Sequence, residues 1–207
     1  MRKTLLFLFI SASCFAATAS FNFESEASAT VPSPYSVSNN GLTLTISTEG
    51  YPSGYISIVD FLIGNLGTRS VTGLKTDQFL PENFAPLRFT FSQPITAITF
   101  AFGDPGGDDD SPVLIQGFDL QNNFLGSLTS TYPAGSSTGK LISGTFAGAS
   151  YFTLTSGSHK AGSNSDSLSW EVPSVEFTPA AAVPEPSTLA LGGVAIGLLA
   201  GLRRFRG

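Results

Sequence analysis

Leu87-Arg88-Phe89-Thr90-Phe91 and, a few residues on, Ile98-Thr99-Phe100-Ala101-Phe102 decide the fold of this chain. In each, large apolar residues fall at every second position with a small or polar residue between them. A strand sends successive side chains to opposite faces, so this is the signature of a strand with one buried face. Working outward, the same pattern recurs at Leu42–Ile46, Val113–Leu120, Phe124–Leu128, Leu141–Phe146, Tyr151–Thr155 and Leu168–Phe177. Gly, Pro, Asn and Asp punctuate these runs, and Gln121-Asn122-Asn123 is short enough for a hairpin turn. No helical periodicity of useful length occurs between Ser20 and Thr178. About nine strands, each with one apolar face, predict an all-β domain. Two antiparallel sheets packed face to face, a jelly-roll-like β-sandwich, satisfy that pattern. Asn65–Phe84 is the least regular stretch and reads as a long loop or crossover.

The chain has 207 residues and a formal net charge of −5. That mean hides a division. Arg2 and Lys3 begin the chain and Arg203, Arg204 and Arg206 end it, leaving five basic residues against fifteen acidic ones. A middle about ten charges negative argues against nucleic acid and anionic membrane surfaces as partners. The single cysteine, Cys14, lies in the apolar N-terminal stretch, so the remainder has no thiol chemistry and must be held by its core.

The ends read as targeting segments. Met1-Arg2-Lys3, the apolar run Leu5–Ala16 and Ala17-Thr18-Ala19 make a secretory signal peptide over 1–19. Cleavage is placed after Ala19, with a cut after Ala16 or Ala17 as the alternative. Residues 20–178 then form the sandwich domain and 179–188 a linker containing Pro184, Glu185 and Pro186. Prolines force an extended approach, so a helix begins after them and runs over 189–202 without charge. That helix spans roughly 21 Å against a bilayer core of about 30 Å. The basic end, 203–207, holds it on the cytoplasmic side through Arg203, Arg204 and Arg206.

This triplet, glycine-containing apolar helix and arginine cluster resemble the PEP-CTERM sorting signal. The resemblance implies a temporary membrane tether recognised by an exosortase and processed near the triplet, with signal peptidase acting at the other end. It implies an exported surface or matrix protein of an exopolysaccharide-producing bacterium, with a structural or adhesive role. The body, from Phe21-Asn22-Phe23-Glu24 through Gly117-Phe118-Asp119-Leu120 to the final strand, is similar to sandwich domains found upstream of such tails. Those resemble carbohydrate-binding jelly rolls, which makes a glycan-binding module with structural calcium the alternative. The closing Asp-Asn pair of such domains is replaced here by Trp170-Glu171-Val172-Pro173.

The sharpest local feature of the body is Gly103-Asp104-Pro105-Gly106-Gly107-Asp108-Asp109-Asp110. Carboxylates at Asp104, Asp108, Asp109 and Asp110, interleaved with glycine, suit a hard cation such as calcium, although a solvated acidic turn makes the same pattern. Glu24 or Glu171 could complete such a site. His159 is the only histidine, so a catalytic triad would depend on it alone in a glycine-containing turn that is a poor place to hold a base, and a zinc set lacks its ligands. No carboxylate pair is singled out for hydrolysis, so a secreted hydrolase is the third and least favoured reading and the body is expected not to be an enzyme. Trp170 alternates with Leu168 and Val172 and should face the core; Tyr51 and Tyr55 flank a turn and are better placed for a surface platform, although packing is the favoured reading for them too.

Overall fold

The computed structural model describes residues 16–60, 69–80, 83–103, 113–130, 139–155 and 169–179. All of them fall within one compact unit, Phe15–Pro179. Their regular structure is strand throughout: β1 (Ala17–Phe21), β2 (Ala29–Pro32), β3 (Tyr35–Asn39), β4 (Leu42–Thr48), β5 (Tyr55–Val59), β6 (Ser70–Leu74), β7 (Phe84–Ala85), β8 (Leu87–Gly103), β9 (Val113–Phe118), β10 (Phe124–Ser130), β11 (Lys140–Thr155) and β12 (Ser169–Phe177). Among the described residues no helix is long and apolar enough to cross a membrane. The segment 189–202 lies outside them.

All the pairings are antiparallel, and two long strands organise them. The first half of β8 pairs with β4 (Leu44 opposite Phe91, Thr48 opposite Leu87), and its second half pairs with β12 (Phe177 opposite Ile95, Trp170 opposite Phe102). β11 does likewise: Lys140–Thr145 follow the second half of β8, and Tyr151–Leu154 lie between the first half of β8 and β9. Register shifts fall between Thr145 and Tyr151 on β11, where Gly148 has φ +86°. On β8 the corresponding stretch is Ser92–Pro94, with Pro94 exposed, as a proline that cannot donate to a ladder should be. One hydrogen-bonded network therefore folds back into two layers, β10-β9-β11-β8-β4-β3 and β11-β8-β12-β6-β5-β2. The predicted runs 87–91 and 98–102 are the two halves of β8, because the corner breaks the alternation and not the strand.

The alternating residues fill the space between the layers. Leu42, Leu44, Ile46, Phe89 and Phe152 from one layer meet Phe100, Phe102, Trp170 and Val172 from the other, all buried. Phe100 lies 5.4 Å from Phe152 and 6.4 Å from Trp170, both edge to face. That is the favourable arrangement for ring quadrupoles. Trp170 takes the core position expected of it.

The loop reading of Asn65–Phe84 is corrected within its described part. Ser70–Leu74 is β6, paired with β5, β7 and β12, and every one of its five residues is buried. A strand covered on both faces loses the alternation that sequence reading relies on. At Gly73 a Cβ would stand 2.5 Å from the Ala85 carbonyl oxygen, so only glycine lets β7 approach.

Candidate functional site

The face of the first layer that turns away from the core carries one continuous cross-strand row. Ser36 stands opposite Thr45, Thr45 opposite Thr90, Thr90 opposite Tyr151, Tyr151 opposite Phe118, and Phe118 opposite Phe124. The row crosses β3, β4, β8, β11, β9 and β10. It is polar at one end and aromatic at the other. Phe118 and Tyr151 stack with centroids 4.9 Å apart and planes 10° from parallel, and Phe124 meets Phe118 edge to face at 5.8 Å. Phe124 is 56% exposed.

Arg88, one row along, fixes the middle of this surface. Its Nε donates to Glu49 Oε2 at 2.7 Å and its Nη2 to Glu49 Oε1 at 3.3 Å, a two-pronged pairing. The same guanidinium lies 4.3 Å from the Tyr151 ring centroid. Two open grooves share Arg88 and Thr90: one lined by Ser47, Glu49 and Tyr51, the other by Gln93, Asn122 and Tyr151. Tyr51 is exposed at the edge of the first, against the packing favoured for it from sequence, with the Lys75 ammonium 5.5 Å over its ring.

The β9–β10 turn positions the aromatic end. Asp119 Oδ1 accepts from the main-chain N–H groups of Gln121 and Asn123, and Oδ2 accepts from the Asn123 side chain. These bonds, the Asn123 side chain first, hold the Asp119 carboxyl below its usual range. Asn122 is thereby set at φ 65°, and its Oδ1 accepts from the Tyr151 hydroxyl at 3.0 Å. Beneath, Gly117 leaves room for two rings; a Cβ there would stand 2.8 Å from Phe146 and 2.9 Å from Phe152.

A second polar cluster lies on the outward face of the other layer and is closed. Glu171 sits between core-facing Trp170 and Val172, so its side chain takes the opposite face, yet it is only 1% exposed. The antiparallel pairing of Trp170 with Val71 sets Ser70 across from Glu171. Ser70 is fully buried. Among the described residues, neither Glu171 Oε1 nor Ser70 Oγ has a hydrogen-bond partner. Burial, and then the charge of nearby Glu24, push the Glu171 carboxyl up to about 8. Glu24 Oε1 accepts from the Arg69 main-chain N–H at 3.1 Å. The Arg69 side chain is committed elsewhere, to Asp60 Oδ1 at 2.6 Å and to the carbonyl oxygens of Glu24 and Glu26. Glu26 Oε2 accepts from the Tyr35 hydroxyl, whose pKa burial and that bond push up to about 12.

Among the described residues no group of three or more His, Cys, Asp or Glu side chains gathers as a metal set. The acidic loop residues Asp104, Asp108, Asp109 and Asp110 lie outside the described residues, as do His159, Pro184, Glu185, Pro186, Arg203, Arg204 and Arg206. Ala17 and Ala19 both belong to β1, opposite Phe177 and Val175, with Ala19 buried. A cut after Ala19 removes Ala17, Thr18 and Ala19 from that strand; a cut after Ala16 leaves it whole. Sequence reading missed the aromatic row, because Phe118, Phe124 and Tyr151 come from three separate strands and only their register unites them. The closeness of Glu24, in the turn after β1, and Glu171, in β12, was open to it only as two acids far apart in the sequence.

Residues 182–206 match the family model of the PEP-CTERM protein-sorting motif. The chain carries a PEP-CTERM sorting tail. The protein is therefore exported, tethered to the membrane by that tail, processed by an exosortase and released to the cell surface. No curated protein matches the chain. Among solved structures it is similar to a DUF4465 family protein from Bacteroides caccae, at 12% identity over 79% of this chain and 100% of that one, with a TM-score of 0.45. It is also similar to the K2 cleaved adhesin domain of Lys-gingipain, at 12% identity over 79% and 99% of the two chains, with a TM-score of 0.40. At such TM-scores the likenesses carry no argument about this chain's activity.

Proposed function

We propose that the exported body is a structural or adhesive element of an exopolysaccharide layer, without enzymatic activity, that contacts polysaccharide along the row from Ser36 to Phe124. The observation that carries this reading is the row itself. Six strands at about 4.8 Å spacing give an open track of about 24 Å, long enough for several sugar rings. Exposed Phe124 supplies an apolar ring face, backed by Phe118 and by Tyr151 stacked against Phe118. Thr45, Thr90, Gln93 and Asn122 surround them with hydrogen-bonding groups. An acidic body favours a neutral over an anionic glycan. Glu49, the carboxylate of the groove, is engaged by Arg88 and so is poorly placed as a general acid or base.

The test is retention of the protein on insoluble neutral polysaccharide and on the purified exopolysaccharide of the host. Tyr151→Ala and Phe124→Ala should each weaken retention several-fold, since aromatic contacts contribute about 0.5–1.5 kcal/mol beyond their area. Undiminished retention in both variants would exclude this face as the contact.

A further inference from the structure

We propose that Glu171, Glu24 and Ser70 form a site for a hard divalent cation of the calcium class, at the seam where the Phe23–Glu26 turn meets β6 and β12. The inference is independent of the polysaccharide face. Three observations converge on it. Glu171 is 1% exposed and Ser70 fully buried, and each has an oxygen that no group among the described residues satisfies. Register brings the two side chains to one face of adjacent strands, where directly opposed Cβ atoms lie about 5 Å apart. Glu24 is tied to the same place through the main-chain N–H of Arg69, the residue next to Ser70. A native fold rarely leaves two buried oxygens orphaned side by side, so a missing partner is the natural explanation.

The chemistry of that partner follows from the donors. All three are oxygens and two are carboxylates, so the partner is cationic and hard. The Arg69 guanidinium is engaged by Asp60 and by the carbonyl oxygens of Glu24 and Glu26. The Glu26 carboxylate is occupied by Tyr35. Zinc would call for nitrogen or sulfur donors, and the cluster contains neither. Calcium accepts carboxylates in one- or two-oxygen modes, tolerates irregular geometry and takes water into its shell; magnesium demands a tighter octahedron. With only two carboxylates the affinity should fall in the range of extracellular modules, about 10⁻⁴–10⁻³ M. That range suits a protein working outside the cell.

The experiment uses the purified full chain in detergent, stripped with chelator, and reads two signals. Calcium at about 10 mM should raise the melting temperature by roughly 3–10 °C, and magnesium at the same concentration by less. Terbium should give sensitised emission through Trp170, the only tryptophan, beside Glu171 in the sequence. Glu171→Gln, which keeps shape and removes charge, should abolish both signals, and Glu24→Gln should weaken them at least tenfold. Changing Asp108, Asp109 and Asp110 together to Asn should leave both intact. The proposal is overturned if calcium does not stabilise the wild type, if Glu171→Gln responds as the wild type does, or if the triple Asn variant alone loses both signals.

Discussion

Glu49 and Glu171 occupy outward-facing positions on opposite layers of the sandwich, and the molecule treats them differently. Glu49, just past β4, is 37% exposed and gripped by Arg88 at 2.7 Å. Glu171, inside β12, is sealed, with the Glu24 carboxylate near enough to act on it and a serine hydroxyl as its unsatisfied neighbour. The first is a surface ion pair that leaves its face open to solvent. The second is a carboxyl removed from water with an oxygen unsatisfied among the described residues, a state that costs several kcal/mol in the charged form unless a proton or cation relieves it. The difference separates two uses of an outward sheet face: one presents side chains to a partner, the other stores an electrostatic demand.

The largest effect should come from the core that both regions rest on. Phe100 touches Phe89 and Phe152 under the open row, and Trp170 next to Glu171. Phe100→Ala should cost about 3–5 kcal/mol. Denaturant unfolding should show the midpoint falling with an unchanged slope. If only one region lost its signals, polysaccharide retention or cation response, the two would not share a core.

The next effect isolates the closed region. In chelator, Glu171 keeps its proton in the folded state up to about 8 and releases it near 4.5 when unfolded. Between those values the folded state binds the extra proton, so stability is fully present below about 4.5 and falls as pH rises toward about 8. A loss on the order of 3 kcal/mol across that window is expected from a shift of this size. Glu171→Gln should flatten the profile and leave the variant more stable than wild type at pH 8 without metal. A pH-independent wild type would show that Glu171 is not the source of the demand.

These regions were unequally legible in the sequence. The aromatic strands were plain, because Phe89, Phe91, Phe100 and Phe102 alternate with residues that face out. The Gln121-Asn122-Asn123 turn was equally plain, and the structure adds its reason, the Asp119 carboxylate closing it. β6 was opaque because both its faces are covered, and β3 went unseen although Asn40-Gly41, at φ 49° and 79°, is a tight-turn dipeptide opening onto β4. Neither region could be read as a site. Ser36 and Phe124, or Ser70 and Glu171, become neighbours only through register, and register across a corner-turning strand such as β8 depends on where Ser92–Pro94 interrupts it. The sorting tail was legible for the opposite reason, since its three parts are contiguous and need no fold to bring them together.

The smallest effect is expected at the open region, and its smallness is the informative part. Arg88→Ala removes a half-exposed pair with Glu49 and the contact over Tyr151, yet leaves nothing buried without a partner. Exposed ion pairs contribute about 0–1 kcal/mol and cation–π contacts at exposed sites about 0.5–1 kcal/mol, so unfolding stability should drop by roughly 1 kcal/mol or less. Raising the ionic strength should shrink the wild-type advantage further. Retention on polysaccharide should nevertheless fall, because Arg88 holds the Tyr151 ring from one side while Asn122 holds its hydroxyl from the other. A stability loss above about 2 kcal/mol would mean that Arg88 is a structural residue and that the open face, like the closed one, is maintained for the fold. A small loss in stability with a clear loss in retention would separate the two faces by what they serve.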